Sequence, residues 1–233
     1  MIYIYDNVDL DETRAEAAYF LFEENVAPGR WEYANRFKKF IDRWNCVMSY
    51  MLLRYGLKKE YGIDAIFELE VDRNGKPHLP ASLGLPDALD FSLAHCRGLV
   101  ACAICECPVG IDVEDVKTVD AEVVETCFSE REKQQILSSI HQEEAFATTW
   151  TRKEAILKHR GVGLIPDMKS VNTLIEPDTL VEPNTSSEPN MLDEPSLMTY
   201  NLHTRILSVC GTNLPPKFVD LATLLREFDP LVQ

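Results

Sequence analysis

The sequence predicts an α+β fold, and three observations carry that expectation. Residues 31–55 repeat apolar side chains at spacings of three and four, as one face of a long helix does. Four short β-type runs crowd into residues 65–71, 89–93, 98–105 and 109–114. Two further helical patterns follow, and a last β-type run at 204–210 closes the chain's ordered pattern. Helix, strands, helices and strand thus stand in blocks, without the strand-helix alternation of a parallel α/β sheet.

In the first helix Phe37, Phe40, Ile41, Trp44, Val47, Met48, Met51, Leu52 and Tyr55 make the apolar face. Its polar face is basic. Residues 28–62 hold eight cations (Arg30, Arg36, Lys38, Lys39, Arg43, Arg54, Lys58, Lys59) against three acids (Glu32, Asp42, Glu60), in a chain whose 23 Lys and Arg against 38 Asp and Glu give a net charge of −15. The turn Asp72-Arg73-Asn74-Gly75 closes the first β-type run. Ser129 with Glu132 three residues on forms a capping box that opens the second helix. The third runs over about 142–160 and is stopped by Gly161 and Gly163. Glu-Pro then recurs at 176, 182, 188 and 194, in a stretch with six acids and no base, which reads as a flexible loop over 176–198 rather than a domain.

The strongly acidic balance disfavours nonspecific nucleic-acid binding. No apolar run approaches the roughly 20 residues of a membrane span, and MIYIYDN lacks the charged n-region and cleavage site of a signal peptide, so a cytoplasmic location and no membrane partner are expected. The seven cysteines are odd in number, and four of them (Cys96, Cys102, Cys105, Cys107) fall in or beside a β-type run, so free buried thiols are expected.

Chemistry concentrates in two places. In the segment VGIDVE, Val109, Ile111 and Val113 alternate with Asp112 and Glu114, so one strand face packs while the other presents two carboxylates a pleat apart. Such a pair suits a hard cation, or is the wet face of an edge strand. In the third helix Phe146 and Trp150 set an apolar stripe that continues, at helical spacing, to Glu154 and Lys158. An acid in line with large apolar residues is costly unless paired or bound to metal, so Glu154 is either a third ligand or the partner of Lys158 in an i,i+4 pair.

The motifs GKPHL from Gly75, FSLAHC from Phe91, GIDVE from Gly110, CFSEREKQQIL from Cys127 and FATTWTRKEAILKHRGVGL from Phe146 resemble, in order and spacing, the 4′-phosphopantetheinyl transferases of the surfactin-synthetase-activating type. The resemblance implies two similar α+β halves related by a pseudo-twofold axis, with the active site at their interface. Residues 1–112 would be the half on the coenzyme A 3′-phosphate side, and residues 113–233 the half with the metal and catalytic helix. It implies transfer of the 4′-phosphopantetheine group from coenzyme A to a serine of an apo acyl or peptidyl carrier protein, by a monomer, with release of 3′,5′-ADP. By motif, Asp112, Glu114 and Glu154 resemble the Mg²⁺ ligands, and His95 the phosphate-binding histidine. Lys158 resembles the lysine that contacts the phosphate and assists the leaving group. Arg30, Arg43, Lys76 and Pro77 fall with the coenzyme-binding residues, and Glu132 falls where some members place the base for the carrier serine, a role that competes with the capping box. The chain departs from the family pattern at Ala94, where a hydroxyl is usual, and at Asn45, where a second arginine is common. Two other readings of the same residues are a Mg²⁺-dependent pyrophosphate hydrolase and a coenzyme A or carrier-binding module without turnover.

Overall fold

The computed structural model describes residues 1–7, 12–163, 165–174 and 195–228. In chain order its elements are β1 (Ile2–Asp6), α1 (Glu12–Leu21), α2 (Pro28–Asn35), α3 (Phe40–Tyr61), β2 (Glu70–Val71), β3 (Pro77–His78), β4 (Asp90–Cys96), β5 (Leu99–Cys105), β6 (Gly110–Asp115), α4 (Ala121–Cys127), α5 (Glu130–Ser138), α6 (Gln142–Arg160), β7 (Leu197–Asn201), β8 (Arg205–Cys210), β9 (Pro216–Phe218) and α7 (Leu221–Phe228). Mixed helix and sheet in segregated blocks make this the expected α+β fold.

Two sheets form the centre. One has the order β4-β5-β1-β9 and the other β6-β8-β7. Tyr3, Tyr5, Val100 and Cys102 on one face of the first sheet pack with Trp44, Met48, Met51 and Leu52 of α3. Its opposite face, with Ile2, Ile4, Ala101 and Ala103, packs on Ile111, Val113, Leu207 and Val209 of the second sheet. The other face of that second sheet is covered by α6. The order of layers is therefore helix, sheet, sheet, helix, and each fully enclosed aliphatic side chain in the middle contributes on the order of 1.5–3 kcal/mol.

The structure corrects the reading of several segments. The single basic helix is two helices: Lys39 leaves helical geometry with ψ 138° as the N-cap of α3, so Phe37 falls in the connection after α2 and the rest of the apolar face, from Phe40 to Tyr55, belongs to α3. Of residues 65–71 only Glu70 and Val71 pair as a strand. Before them, Phe67 and Ala65 find side-chain partners instead of a strand: the Tyr50 hydroxyl bonds both N and O of Phe67, and Arg54 Nε donates to Ala65 O. The loop expected to reach residue 198 gives way to β7 at Leu197, while its repeats, over 175–194, lie outside the described residues. Cys105 and Cys107 form a disulfide instead of free thiols, because the turn at Glu106 brings their Cα atoms within 5.1 Å. Cys46, Cys96, Cys102, Cys127 and Cys210 are free.

One contact positions the site. A Cβ built on Gly110 would lie 2.0 Å from Ala155 O and 2.3 Å from His159 N, so β6 and α6 meet backbone to backbone there. No side chain larger than hydrogen fits between them.

Candidate active site

β6 and α6 carry the central pair. Asp112 pairs across the sheet with Ser208 of β8. Lys158 Nζ donates to Asp112 Oδ1 at 2.7 Å and to Ile111 O at 3.1 Å. Asp112 is 8% exposed, and its Oδ2 is enclosed with no hydrogen-bond partner. Burial pushes its carboxyl above the ordinary carboxylate range, against the attraction of Lys158, and Glu114 adds repulsion. Glu154 is also raised, first by burial and then by Asp112, with Lys158 opposing and Glu114 adding to the rise.

The three expected metal ligands therefore share one electrostatic neighbourhood. Glu114 is drawn aside by Lys117 at 3.2 Å, and among the described residues no three His, Cys, Asp or Glu side chains are gathered at metal-ligand spacing. Ammonium groups stand against two of the three carboxylates. The donor set still fits a hard divalent cation, since all the atoms are carboxylate oxygens and a buried one has no partner.

His95, near the end of β4, faces the same group. Crowding by the surrounding protein, then Lys158 and Arg30, push its pKa down against Asp42 and Glu114, although the ring surface remains exposed. Lys76, Pro77 and Lys158 line one cavity of about 200 Å³ with Asn74, Ser92 and Gly161. Within it Lys76 Nζ lies 2.5 Å from Asp90 Oδ2. A second cavity of about 510 Å³ is lined by His95, Asn45, Lys39 and Arg97 among others. Arg30 spends Nε and Nη2 on Cys46 O. Arg43 stands apart, its guanidinium 5.8 Å over the Phe40 ring. Asn45, where the family pattern has arginine, donates Nδ2 to Cys96 O and so ties α3 to the end of β4.

Glu132 is placed otherwise than a base would be. It is fully buried; its Oε2 accepts from Ser129 N at 2.8 Å as the capping box requires, and lies 3.0 Å from Lys153 Nζ. Its Oε1 accepts from the Thr173 hydroxyl at 2.6 Å. Burial alone would raise its pKa, but the bonds from Thr173, Ser129 and Lys153 outweigh it and leave it below the usual range. Both oxygens are committed and enclosed, so the geometry is that of a brace between α5 and α6, closed to an incoming serine.

Sequence reasoning passed over Lys153, which is fully buried and donates to Met168 O and Val171 O as well. A signal existed: Lys153 lies seven residues after Phe146, on the inward stripe of the helix. Asn74 and Asp90 were passed over too.

The sequence model of a family described as the 4′-phosphopantetheinyl transferase superfamily matches residues 108–206. The chain is 33% identical over 150 residues to the 4′-phosphopantetheinyl transferase psf-1 of Bacillus pumilus, covering 62% of each chain. It is 30% identical over 156 residues to a 4′-phosphopantetheinyl transferase of Bacillus subtilis, covering 66% of this chain and 68% of that one. It is 28% identical over 160 residues to the 4′-phosphopantetheinyl transferase Sfp of Bacillus subtilis strain 168, covering 67% and 70%. The match to psf-1 thus spans less than two thirds of that protein's length.

Proposed function

Because the chain belongs to the 4′-phosphopantetheinyl transferase superfamily, we propose that it transfers the 4′-phosphopantetheine group of coenzyme A to a serine of an apo acyl or peptidyl carrier protein, releasing 3′,5′-ADP. The observation that carries this reading is the Asp112–Lys158 pair, with one buried carboxylate oxygen left unpartnered beside Glu154. Asp112, Glu114 and Glu154 would hold Mg²⁺. When bound, that ion supplies positive charge to the diphosphate of coenzyme A.

The chain's own residues do the rest. Lys158, held against Asp112, would meet the negative charge that develops on the departing phosphate, and its contribution would grow as the bond breaks. His95, held toward its neutral form by crowding and by Lys158 and Arg30, offers a ring N–H to a phosphate oxygen. Lys76 and Pro77 share their cavity with Lys158 and would bind coenzyme A, while Arg30, close enough to His95 to lower its pKa, would add positive charge on that side. Arg43 would add charge at longer range.

Two halves, residues 1–112 and 113–233, with the site between them belong to the same proposal. It is supported by each sheet having its own covering helix, although β6 runs through residue 112 and β9 pairs back with β1. No helix among the described residues is long and apolar enough to cross a membrane. Action as a monomer in the cytoplasm belongs to the same proposal.

Incubation with coenzyme A, Mg²⁺ and a panel of apo carrier proteins, followed by mass spectrometry, tests the reading. A phosphopantetheine mass added to a carrier serine is the expected result. Hydrolysis of coenzyme A with every carrier unchanged, or binding without any product, overturns it.

A further inference from the structure

The turn between β2 and β3 touches both elements that carry the central pair. Asp72 Oδ1 accepts from Asn74 N at 2.8 Å and Lys76 N at 2.9 Å, so the turn's own shape is fixed. From it Asn74 Nδ2 donates to Gly161 O at 2.8 Å, at the left-handed residue (φ 64°) where α6 ends. Cβ atoms built on Gly161 and Gly163 would sit 3.4 Å from Lys76 Cδ and 3.5 Å from Asn74 O, so the turn lies directly on the helix end. On its other side Lys76 Nζ meets Asp90 Oδ2, and the same oxygen accepts from Val109 N at 2.9 Å, immediately before β6.

Two strings of contacts therefore leave one turn. One ends three residues past Lys158 and the other three residues before Asp112, and they rejoin where Lys158 Nζ meets Asp112 Oδ1. The circuit is closed: turn, Gly161, α6, Lys158, Asp112, β6, Val109, Asp90, Lys76, turn. A lysine side chain free to rotate would lose rotamer freedom on adopting one pose, and a frame that fixes both ends of the pair bears part of that cost in advance.

We infer that Asn74 and Asp90 are positioning residues for Lys158: they hold the end of α6 at a set distance from the start of β6, and so aim the ammonium group at Asp112 and into the cavity beside Lys76. The inference rests on the transferase reading for its assay. Neither side chain has to touch the reacting atoms, and both act through Lys158.

The test is a double-mutant cycle in single-turnover transfer to an apo carrier protein, with coenzyme A at saturation. Asn74→Ala and, separately, Asp90→Asn should each lower the maximal rate about fivefold, the effect of one ordinary hydrogen bond. The KM for coenzyme A in Asn74→Ala should stay within about twofold, and its melting temperature should fall by no more than about 2–4 °C, the scale of one lost hydrogen bond in a chain of this length. In a Lys158→Ala background the same changes should alter the rate by less than about 1.5-fold, because the group they aim is gone. Equal losses in both backgrounds would show a merely structural role and overturn the inference, as would no loss in either single variant. If the unaltered protein transfers nothing, the transferase reading falls first; if it transfers and the losses are additive, only this inference falls.

Discussion

Lys153 and Lys158 stand five residues apart on α6, and each meets a carboxylate at about salt-bridge distance, yet the two pairs are built on opposite terms. Lys153 and Glu132 are both fully buried, and their polar atoms are satisfied by Thr173, Ser129, Met168 and Val171. Lys158 is partly exposed, with its side chain 31% accessible, and Asp112 keeps an enclosed oxygen with no partner. The first pair is chemically complete and has nothing left to offer a ligand. In the second, an unused acceptor and two carboxylates that repel each other stand beside a cation that lines a cavity, an arrangement that costs stability and that a bound cation would offset. Completeness of hydrogen bonding, rather than charge or burial alone, separates the brace from the site.

The contrast breaks most visibly at Glu132. Glu132→Gln leaves Lys153 charged in an enclosed space, and the expected loss of stability is about 3–5 kcal/mol in a denaturant titration. Replacing both partners, as Glu132→Met with Lys153→Met, should recover most of it. The same pair sets a pH dependence. Glu132 has a folded pKa below its unfolded value near 4.3, so its stabilisation is present above that value and is lost as pH falls through the folded pKa. The stability gap between the unaltered protein and Glu132→Gln should therefore be flat near neutrality and shrink below about pH 4. A gap that stays constant into strong acid would remove the ion pair as its source.

Asp112→Asn should do the reverse: transfer falls by about 100-fold or more, while the denaturation midpoint holds or rises, because a buried carboxylate with a partnerless oxygen has been neutralised. Transfer within tenfold of the unaltered protein at limiting Mg²⁺ would take Asp112 out of the site. Lys158→Ala is expected to lower kcat by about tenfold or more with a smaller change in the KM for coenzyme A, whereas Arg30→Ala should raise KM first. If both changed only affinity, Lys158 would be a binding group like the other. The smallest effect is at the exposed Glu114–Lys117 pair, where Lys117→Ala should shift stability by less than about 0.5 kcal/mol in the same titration.

What could be read from the residues followed from how each segment meets its surroundings. The helix α6 was legible to its last residue, since an amphipathic stripe ends at a glycine that adopts φ 64°. The capping box of α5 was legible for the same local reason. β1 was not, because a strand sandwiched between α3 and the second sheet is apolar on both faces, and the run IYIYD shows no alternation. Residues 65–69 have the composition of a strand but find their partners in Tyr50 and Arg54, a choice made by tertiary contacts. In the site, the carboxylates and Lys158 could be placed from spacing within β6 and α6, whereas Asp90 and Asn74 act across long sequence separations that no local pattern records.

The position of β1 also bears on how the chain is made. Ile4 pairs with Ala101 on one side and with Phe218 on the other, so the strand acquires its second neighbour only when the far end of the chain is available. At synthesis rates of about 5–20 residues per second, some 10–40 seconds separate the emergence of β1 from that of β9. β5 emerges about midway through that interval, and from then until β9 follows, β1 docked on β5 presents an open row of backbone donors and acceptors, the kind of edge that recruits strands from other nascent chains. A chain cut before β9 keeps the residues of the proposed site but leaves that edge uncovered, and its yield as soluble protein should fall for a reason unrelated to catalysis.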